Sequence, residues 1–154
     1  MDAVRFFFLT SHGAVSWIDR ILDRLHKIQY SLLWGGVPGE NLRLAYEKRI
    51  TSYVSPELMR ELEVTLQRPK FQPQLKKRDH TAESLLAIAA SLSQSVSITV
   101  SEFDDLRDPA DAKIIATAIA AQAQALITGD RDLLVLQTVQ NIPMLTPAQF
   151  LSTL

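Results

Sequence analysis

The fold is decided by Asp108–Leu134, which reads Asp-Pro-Ala-Asp-Ala-Lys-Ile-Ile-Ala-Thr-Ala-Ile-Ala-Ala-Gln-Ala-Gln-Ala-Leu-Ile-Thr-Gly-Asp-Arg-Asp-Leu-Leu. Its middle, Ala112–Ala123, consists mostly of Ala and Ile, so the pattern predicts a helix that is apolar on all sides and therefore buried. Ala125–Thr128 is a short apolar run bounded by Gly129, which is typical of a buried parallel strand. The stretch therefore predicts one helix–strand unit of an α/β sheet.

Two pairs of aspartates frame this unit. Asp108 and Asp111 stand at the entrance of the helix, and Asp130 and Asp132 follow the strand. Ligands bind at the carboxyl edge of α/β sheets, and a helix that packs back on the sheet can bring Asp111 and Asp130 together. Carboxylates gathered without His, Cys or an Arg cluster need an external cation, and all-oxygen sites favour Mg²⁺ or Mn²⁺. The alternative is that the first pair caps the helix and the second pair is solvated turn.

Composition narrows the class of protein. The 154 residues predict one domain with a sizeable core, and 47% hydrophobic and 21% charged residues are ordinary for a globular protein. The net charge of −1 gives no global basic field, so a nucleic-acid role must rest on a local patch or a metal. The chain has no cysteine, its three histidines lack metal-ligand spacing, and no apolar run reaches membrane-spanning length. We therefore expect a soluble cytoplasmic protein without a membrane segment.

Strands and helices alternate along the rest of the chain. Apolar and β-branched runs predict strands at Val4–Leu9, Ile50–Val54, Val96–Val100 and Asn141–Leu145. Periodic apolar residues and caps predict helices at 14–33, 41–48, 55–68, 81–92, 133–138 and 147–154. Phe71–Lys77 is expected to be a basic, proline-containing loop. The alternation predicts a parallel sheet that is covered by helices on both faces.

Glu61 is a further acid that the pattern directs toward the sheet edge. Ser55-Pro-Glu57 is a good helix start after the second strand, with Ser as N-cap and Pro at the first helical position. Glu57 and Glu61 are four residues apart and therefore share one face of that helix. Glu61 thus joins the candidate acids of the central unit.

Several stretches in a fixed order resemble one known family. They are Leu32-Leu-Trp-Gly-Gly36, Val54-Ser-Pro-Glu-Leu-Met-Arg-Glu-Leu62, Leu66-Gln-Arg-Pro-Lys-Phe71, Arg107-Asp-Pro-Ala-Asp-Ala-Lys113, Leu126-Ile-Thr-Gly-Asp-Arg-Asp-Leu133 and Ile142-Pro-Met-Leu-Thr-Pro147. From about Leu32 to the C-terminus the chain resembles the PIN-domain family, and within it the branch of toxin components of toxin–antitoxin systems. The order of the motifs makes this resemblance specific, since no single motif would be.

The resemblance implies a Rossmann-like three-layer α/β/α fold with a mainly parallel central sheet, formed by one domain over 1–154 with a divergent segment 1–31. It implies a hydrolase, a Mg²⁺- or Mn²⁺-dependent endoribonuclease built on three or four acids. Carried over by position, Glu61, Asp111 and Asp130 are the catalytic and metal-binding acids, and Asp132 is an auxiliary metal ligand. The implied partners are an RNA substrate and a cognate antitoxin protein, and a homodimer is consistent with the resemblance.

The N-terminus departs from the family, which begins with a strand ending in Asp-Thr-Asn. One alignment matches Phe6–Leu9 to that strand and leaves Thr10-Ser11-His12 where the acid belongs. The other counts back from Leu32 and makes Asp23 the metal-binding acid, although Asp23 lies in a predicted helix. A frameshift or altered start ahead of about Ser31 would explain both; the other reading frames just upstream of codon 31 should then encode Asp-Thr-Asn.

Three functions remain open at this point. In an active ribonuclease, Lys70 and Arg107, with Lys76, Lys77 and Arg78, are candidates for contacting the RNA backbone, or they are simply solvated charges. With the first-strand acid missing, the second function is a catalytically impaired PIN remnant that binds RNA or a partner, because Mg²⁺ relies on few protein ligands. A phosphatase or nucleotide-binding domain fits less well, since the chain has neither Gly-x-x-x-x-Gly-Lys-Ser/Thr nor Gly-x-Gly-x-x-Gly.

Overall fold

The computed structural model describes residues 4–7, 44–45, 47–77, 79–99, 106 and 109–154. Its strands are β1 (Val4–Phe7), β2 (Ile50–Val54), β3 (Ser93–Ser95), β4 (Leu126–Ile127), β5 (Thr138–Val139) and β6 (Ile142–Leu145). Its helices are α1 (Pro56–Leu66), α2 (Gln72–Lys77), α3 (Ala82–Leu92), α4 (Ala112–Ala120), α5 (Arg131–Leu134) and α6 (Pro147–Leu151). Among the described residues, no helix is long and apolar enough to cross a membrane.

The strands form a mainly parallel arrangement. β2 pairs in parallel with β1 on one side and with β3 on the other. β6 pairs in parallel with β4 and antiparallel with β5. β1 also contacts β4, so it lies between the two sets of strands. The predicted α/β fold with a mainly parallel sheet is confirmed.

Consecutive residues of β4 show that the sheet is covered on both faces, because neighbouring side chains of a strand point to opposite sides. Leu126 is completely buried in a core with Leu58 of α1, Ile114 and Ile115 of α4, and Leu133 of α5. Ile127 is equally buried, but in a second core with Leu44 and Phe150 of α6. The fold is therefore a three-layer α/β/α sandwich.

The central helix is buried as its composition predicts. Six of the nine residues of α4 are buried, counting from Ala112 to Ala118 without Lys113. At its end, Gln122 adopts a positive φ of 49°, and the N–H groups of Gln122 and Ala123 donate to the carbonyls of Ile119 and Ala118. These two bonds form a Schellman motif, which closes the helix and turns the chain toward β4.

A basic segment predicted as a loop, Phe71–Lys77, is instead largely helical. Its helix α2 tolerates Pro73 because that residue lies in the first turn, where no intrahelical N–H is needed. Phe71 and Leu75, spaced by one helical turn, are 1% and 2% exposed in a small cluster with Leu66 and Leu85. The loop prediction was wrong because it gave weight to charge and proline and overlooked this apolar spacing.

The third strand was also misplaced. The structure pairs Ser93–Ser95 with β2, whereas the prediction was Val96–Val100. From Val96 to Thr99 the predicted alternation is present, with Val96 and Ile98 half-buried and Ser97 and Thr99 exposed. Among the described residues, the ladder is continued by the N–H of Val96 alone, which donates to the Val54 carbonyl. A ladder requires backbone partners, so small polar residues beside β2 become the strand while an alternating run beyond its end does not.

The C-terminal region contains a hairpin that the sequence did not predict. β5 and β6 are joined by Gln140 and Asn141, which have φ values of 47° and 66°. Two successive positive φ values are typical of tight hairpin turns, but Gln-Asn is a weak sequence signal for them. The helix expected at 133–138 is therefore shorter and earlier, at Arg131–Leu134, because its C-terminal end is used for β5.

Candidate active site

The entrance of α4 holds a buried carboxylate. Asp111 closes a 3₁₀ turn, Pro109–Asp111, and is only 1% exposed. Its side chain makes no capping hydrogen bond with α4. Capping, the alternative explanation for this residue, is therefore not its role. Burial of a carboxylate costs free energy that a solvated or capping position would not incur, so the fold holds Asp111 in a position that helix capping does not require.

The entrance of α5 is built differently. The Asp130 carboxylate accepts a hydrogen bond of 2.9 Å from the Asp132 N–H and so caps the helix. The N–H of Asp130 donates to Oγ1 of Thr128, a buried residue that directly follows β4. Asp130 and Asp132 are both half-buried. The capping alternative is thus correct for Asp130, whose second carboxylate oxygen hydrogen-bonds to none of the described residues.

Helices α1 and α4 are joined by two side-chain contacts. Ser55, the N-cap of α1, lies with its Oγ 2.9 Å from Oγ1 of Thr117, and both residues are completely buried. Further along α1, the Glu61 carboxylate forms an ion pair with the Lys113 ammonium. The start of α1 therefore meets the middle of α4, and the middle of α1 meets the first turn of α4. Glu61 is brought beside the turn that Asp111 opens.

The donor chemistry of this region fits a hard divalent cation, because Glu61, Asp111 and Asp130 offer only carboxylate oxygens. Within the described residues, no three acidic or histidine side chains are close enough together to hold a metal ion. The structure brings the helices of Glu61 and Asp111 into contact and places Asp130 after β4. Carboxylate oxygens are the kind of ligand that Mg²⁺ and Mn²⁺ prefer. That the three acids bind one metal site together is a proposal.

The remaining predicted residues fall in two groups. Lys70 is exposed after the end of α1, with its Nζ 5.2 Å from the centre of the Phe71 ring. The eleven residues of α1 span roughly 16 Å, so Lys70 follows the end of the helix that is remote from Ser55. The other group, Asp23, Arg78, Arg107 and Asp108, lies outside the described residues.

Sequence reasoning missed Lys113 and the pair of buried hydroxyls. Lys113 was assigned no role beyond its place in a family motif, and nothing in the sequence indicates that it reaches Glu61, 52 positions earlier. Thr117 was counted as part of the buried stretch, which is correct, but its partner Ser55 was assigned only the role of N-cap. Contacts between two packed helices leave no local pattern in either one.

The comparisons with known proteins place this site in a family. A family model described as PIN domain matches residues 31–132, a segment that contains Glu61, Asp111, Asp130 and Asp132. The chain is also 32% identical over 105 residues to uncharacterized protein MJ1680 of Methanocaldococcus jannaschii; this match covers 66% of the chain and 64% of that relative, less than two thirds of its length. No solved structure matches the chain significantly. The family match covers more than half of the chain, and the protein belongs to the PIN-domain family.

Proposed function

We propose that this PIN domain is a Mg²⁺- or Mn²⁺-dependent endoribonuclease that hydrolyses RNA phosphodiesters and acts as the toxin of a toxin–antitoxin pair. PIN domains are generally nucleases, so the family supports hydrolysis of a nucleic acid. The observation that carries the proposal is the arrangement at α4: a buried Asp111 that does not cap its helix, and Glu61 beside the first turn of the same helix. Choice of RNA and the toxin role rest on the resemblance of the motifs.

Each acid has a proposed part in the site. Glu61, Asp111 and Asp130 hold the ion, Asp130 through the carboxylate oxygen that does not cap α5. Asp132 serves as an auxiliary ligand from the first turn of α5. A divalent ion held there supplies a Lewis acid that activates water and neutralises charge on the phosphate. Asp23 remains a second proposal for the first acid, and the family match starts after it.

The proposed RNA-binding surface includes a local basic patch. Because the net charge of the chain is −1, attraction of RNA must come from such a local cluster of cations. The segment Gln67–Lys77 contains four cationic residues and no acidic one, and its cations are exposed: Arg68, Lys70, Lys76 and Lys77. None of the four pairs with a described carboxylate. Lys70 and, from the sequence, Arg107 are the proposed contacts with the RNA backbone. We further propose that the protein binds a cognate antitoxin protein, forms a homodimer and acts in the cytoplasm.

The test is cleavage of a mixed RNA pool by purified protein with and without Mn²⁺. Wild type is compared with Asp111→Asn and Asp130→Asn, which remove one negative charge each and keep the shape of the side chain. Cleavage that needs Mn²⁺ and is lost in either variant supports the proposed ribonuclease. Cleavage that persists without metal or in both variants indicates a contaminating nuclease and contradicts it.

A second function, a catalytically impaired PIN domain that binds RNA or a partner, is favoured by one observation. β1 pairs in parallel with β2 and contacts β4, which is the place that the first alignment assigns to the family's first strand. The sequence that follows, Phe8-Leu-Thr-Ser-His12, contains no acid. Absence of Mn²⁺-dependent cleavage by pure wild-type protein, together with retained RNA binding, would establish this function.

A further inference from the structure

The ion pair between Lys113 and Glu61 is not required by the hydrolysis proposed above. It connects α4 to α1, and it places a cation on one of the proposed metal ligands. The two side chains are 36% and 41% exposed, and an ion pair this open to water contributes little to stability, on the order of 0–1 kcal/mol. The contribution of the ion pair to stability is therefore too small to explain the position of Lys113.

The backbone from which Lys113 extends is held in place. Oγ1 of Thr117 lies 2.7 Å from the Lys113 carbonyl oxygen and 2.9 Å from Oγ of Ser55, the N-cap of α1. The buried contact between Ser55 and Thr117 joins α1 to α4, and the contact of Thr117 with the Lys113 carbonyl lies within α4. The backbone of Lys113 is therefore held close to α1.

Two further acids lie close in the sequence to the two members of this ion pair. Glu57 lies one turn before Glu61 on the same face of α1, and one of its carboxylate oxygens is buried without a hydrogen-bond partner among the described residues. Asp111 is buried two residues before Lys113. The Glu61 carboxylate, a proposed metal ligand, thus already has the Lys113 ammonium as its partner.

We propose that the Lys113 ammonium is an internal counter-ion of the metal centre, which holds Glu61 until a divalent ion takes its place. This rests on the proposed function, because it requires Glu61 to be a metal ligand. Binding of the ion must separate Glu61 from Lys113 and also overcome the repulsion between the ammonium and the entering cation. Lys113 therefore sets the metal affinity below the value that the carboxylates alone would give, and it does so without contacting the substrate.

The experiment is a Mn²⁺ titration of the full chain without RNA, after removal of metals with EDTA, followed by the EPR signal of free Mn²⁺. Lys113→Met should bind Mn²⁺ about fivefold more tightly than wild type, the size of one unit charge acting across a few ångströms near water. Lys113→Arg keeps the charge and should bind like wild type. Lys48→Met is the matched control, since it removes the same charge from an exposed residue before the amino end of β2.

A double-mutant comparison makes the result specific to the pair. In Glu61→Gln, Mn²⁺ binding should be weaker, and adding Lys113→Met should tighten it by a smaller factor than in wild type, because only the repulsion between ammonium and ion is then removed. Unchanged or weaker binding in Lys113→Met, with binding still dependent on Glu61, overturns the counter-ion role and leaves the proposed metal centre intact. Failure of wild type to bind Mn²⁺ at millimolar concentration removes the metal centre and the counter-ion role together.

Folding of the variants is checked by thermal unfolding without metal. Because the ion pair is partly exposed, Lys113→Met should unfold within a few degrees of wild type, corresponding to at most about 1 kcal/mol. If Lys113→Met were to unfold at ambient temperature, Lys113→Gln, which keeps a polar side chain of similar length, would provide the same comparison. Its Mn²⁺ affinity should rise like that of the methionine variant, and an unchanged value contradicts the proposal.

Discussion

Helices α4 and α5 both begin at an aspartate, but the two entrances are built in opposite ways. Asp130 caps α5 in the ordinary manner, with its carboxylate on the Asp132 N–H at 2.9 Å, and it remains half-buried. Asp111 opens α4 with its side chain buried to 1% exposure and without a capping bond. The same sequence signal, an acid before an apolar run, thus marks a capping carboxylate in one place and a buried carboxylate that does not cap in the other.

The comparison separates an acid whose position is explained by helix capping from one whose position is not. A capping carboxylate contributes about 1 kcal/mol to its helix, and this is sufficient reason for its position. A buried carboxylate is tolerated where its surroundings offset the desolvation, and Asp111 is buried without capping α4. Asp111 is therefore the residue on which the proposed nuclease chemistry depends most, and Asp130 combines a structural role with a proposed catalytic one.

The largest expected effect is on the rate of RNA cleavage when Asp111 is changed. Asp111→Asn should reduce Mn²⁺-dependent cleavage by about 100-fold or more, since loss of groups that merely support a metal ligand already costs 10–100-fold. Cleavage of a labelled RNA under single-turnover conditions measures the effect, with thermal unfolding as the control for folding. A variant that is folded and cleaves at the wild-type rate would remove Asp111 from the site.

The next largest effect is expected on the free energy of unfolding when the contact between α4 and α1 is weakened. Thr117→Val keeps the size of the side chain but removes the hydroxyl beside Ser55 and the Lys113 carbonyl. Leaving a buried hydroxyl short of a partner should lower the free energy of unfolding by about 1–2 kcal/mol. Urea unfolding measures this loss. A neutral result would mean that the two hydroxyls do not join the helices.

The capping role of Asp130 can be separated from its charge by two substitutions. Asn caps helices as well as Asp does, so Asp130→Asn should retain stability, whereas Asp130→Ala should lose about 1 kcal/mol of unfolding free energy. If Asp130 also binds metal, both variants should cleave RNA more slowly by a similar factor. Slower cleavage in the alanine variant alone would show that Asp130 acts only through the helix cap.

The smallest effect is expected at the other end of α4. Gln122 has a positive φ of 49° at the position after the helix where glycine is normally found. Gln122→Gly should raise the free energy of unfolding by roughly 0.5–1 kcal/mol, because glycine adopts this conformation without strain from a side chain. RNA cleavage should be unchanged, since the substitution lies far along α4 from Asp111. A fall in stability would contradict the assignment of strain to this residue.

Much of the architecture was predictable because its signals are local. The strand Ile50–Val54, the cap Ser55 and the buried α4 were predicted from short patterns and are confirmed. The wrong predictions concern segments whose structure depends on contacts with distant residues. The alternating run at Val96–Thr99 lacks a paired strand, and the basic segment at 71–77 folds as α2 because Phe71 and Leu75 find a small apolar cluster.

By itself, the sequence determined the family, the alternation of strands and helices in most of the chain, the burial of the central helix and the acids that could serve a metal. These features depend on periodicity, capping residues and the order of motifs, which can be recognised in the linear sequence. Only the tertiary structure decided that Asp111 is buried without capping, that Asp130 caps α5, and that Lys113 reaches Glu61. Burial and ion pairing depend on which distant surfaces pack together, and a contact across 52 residues has no local signature in either helix.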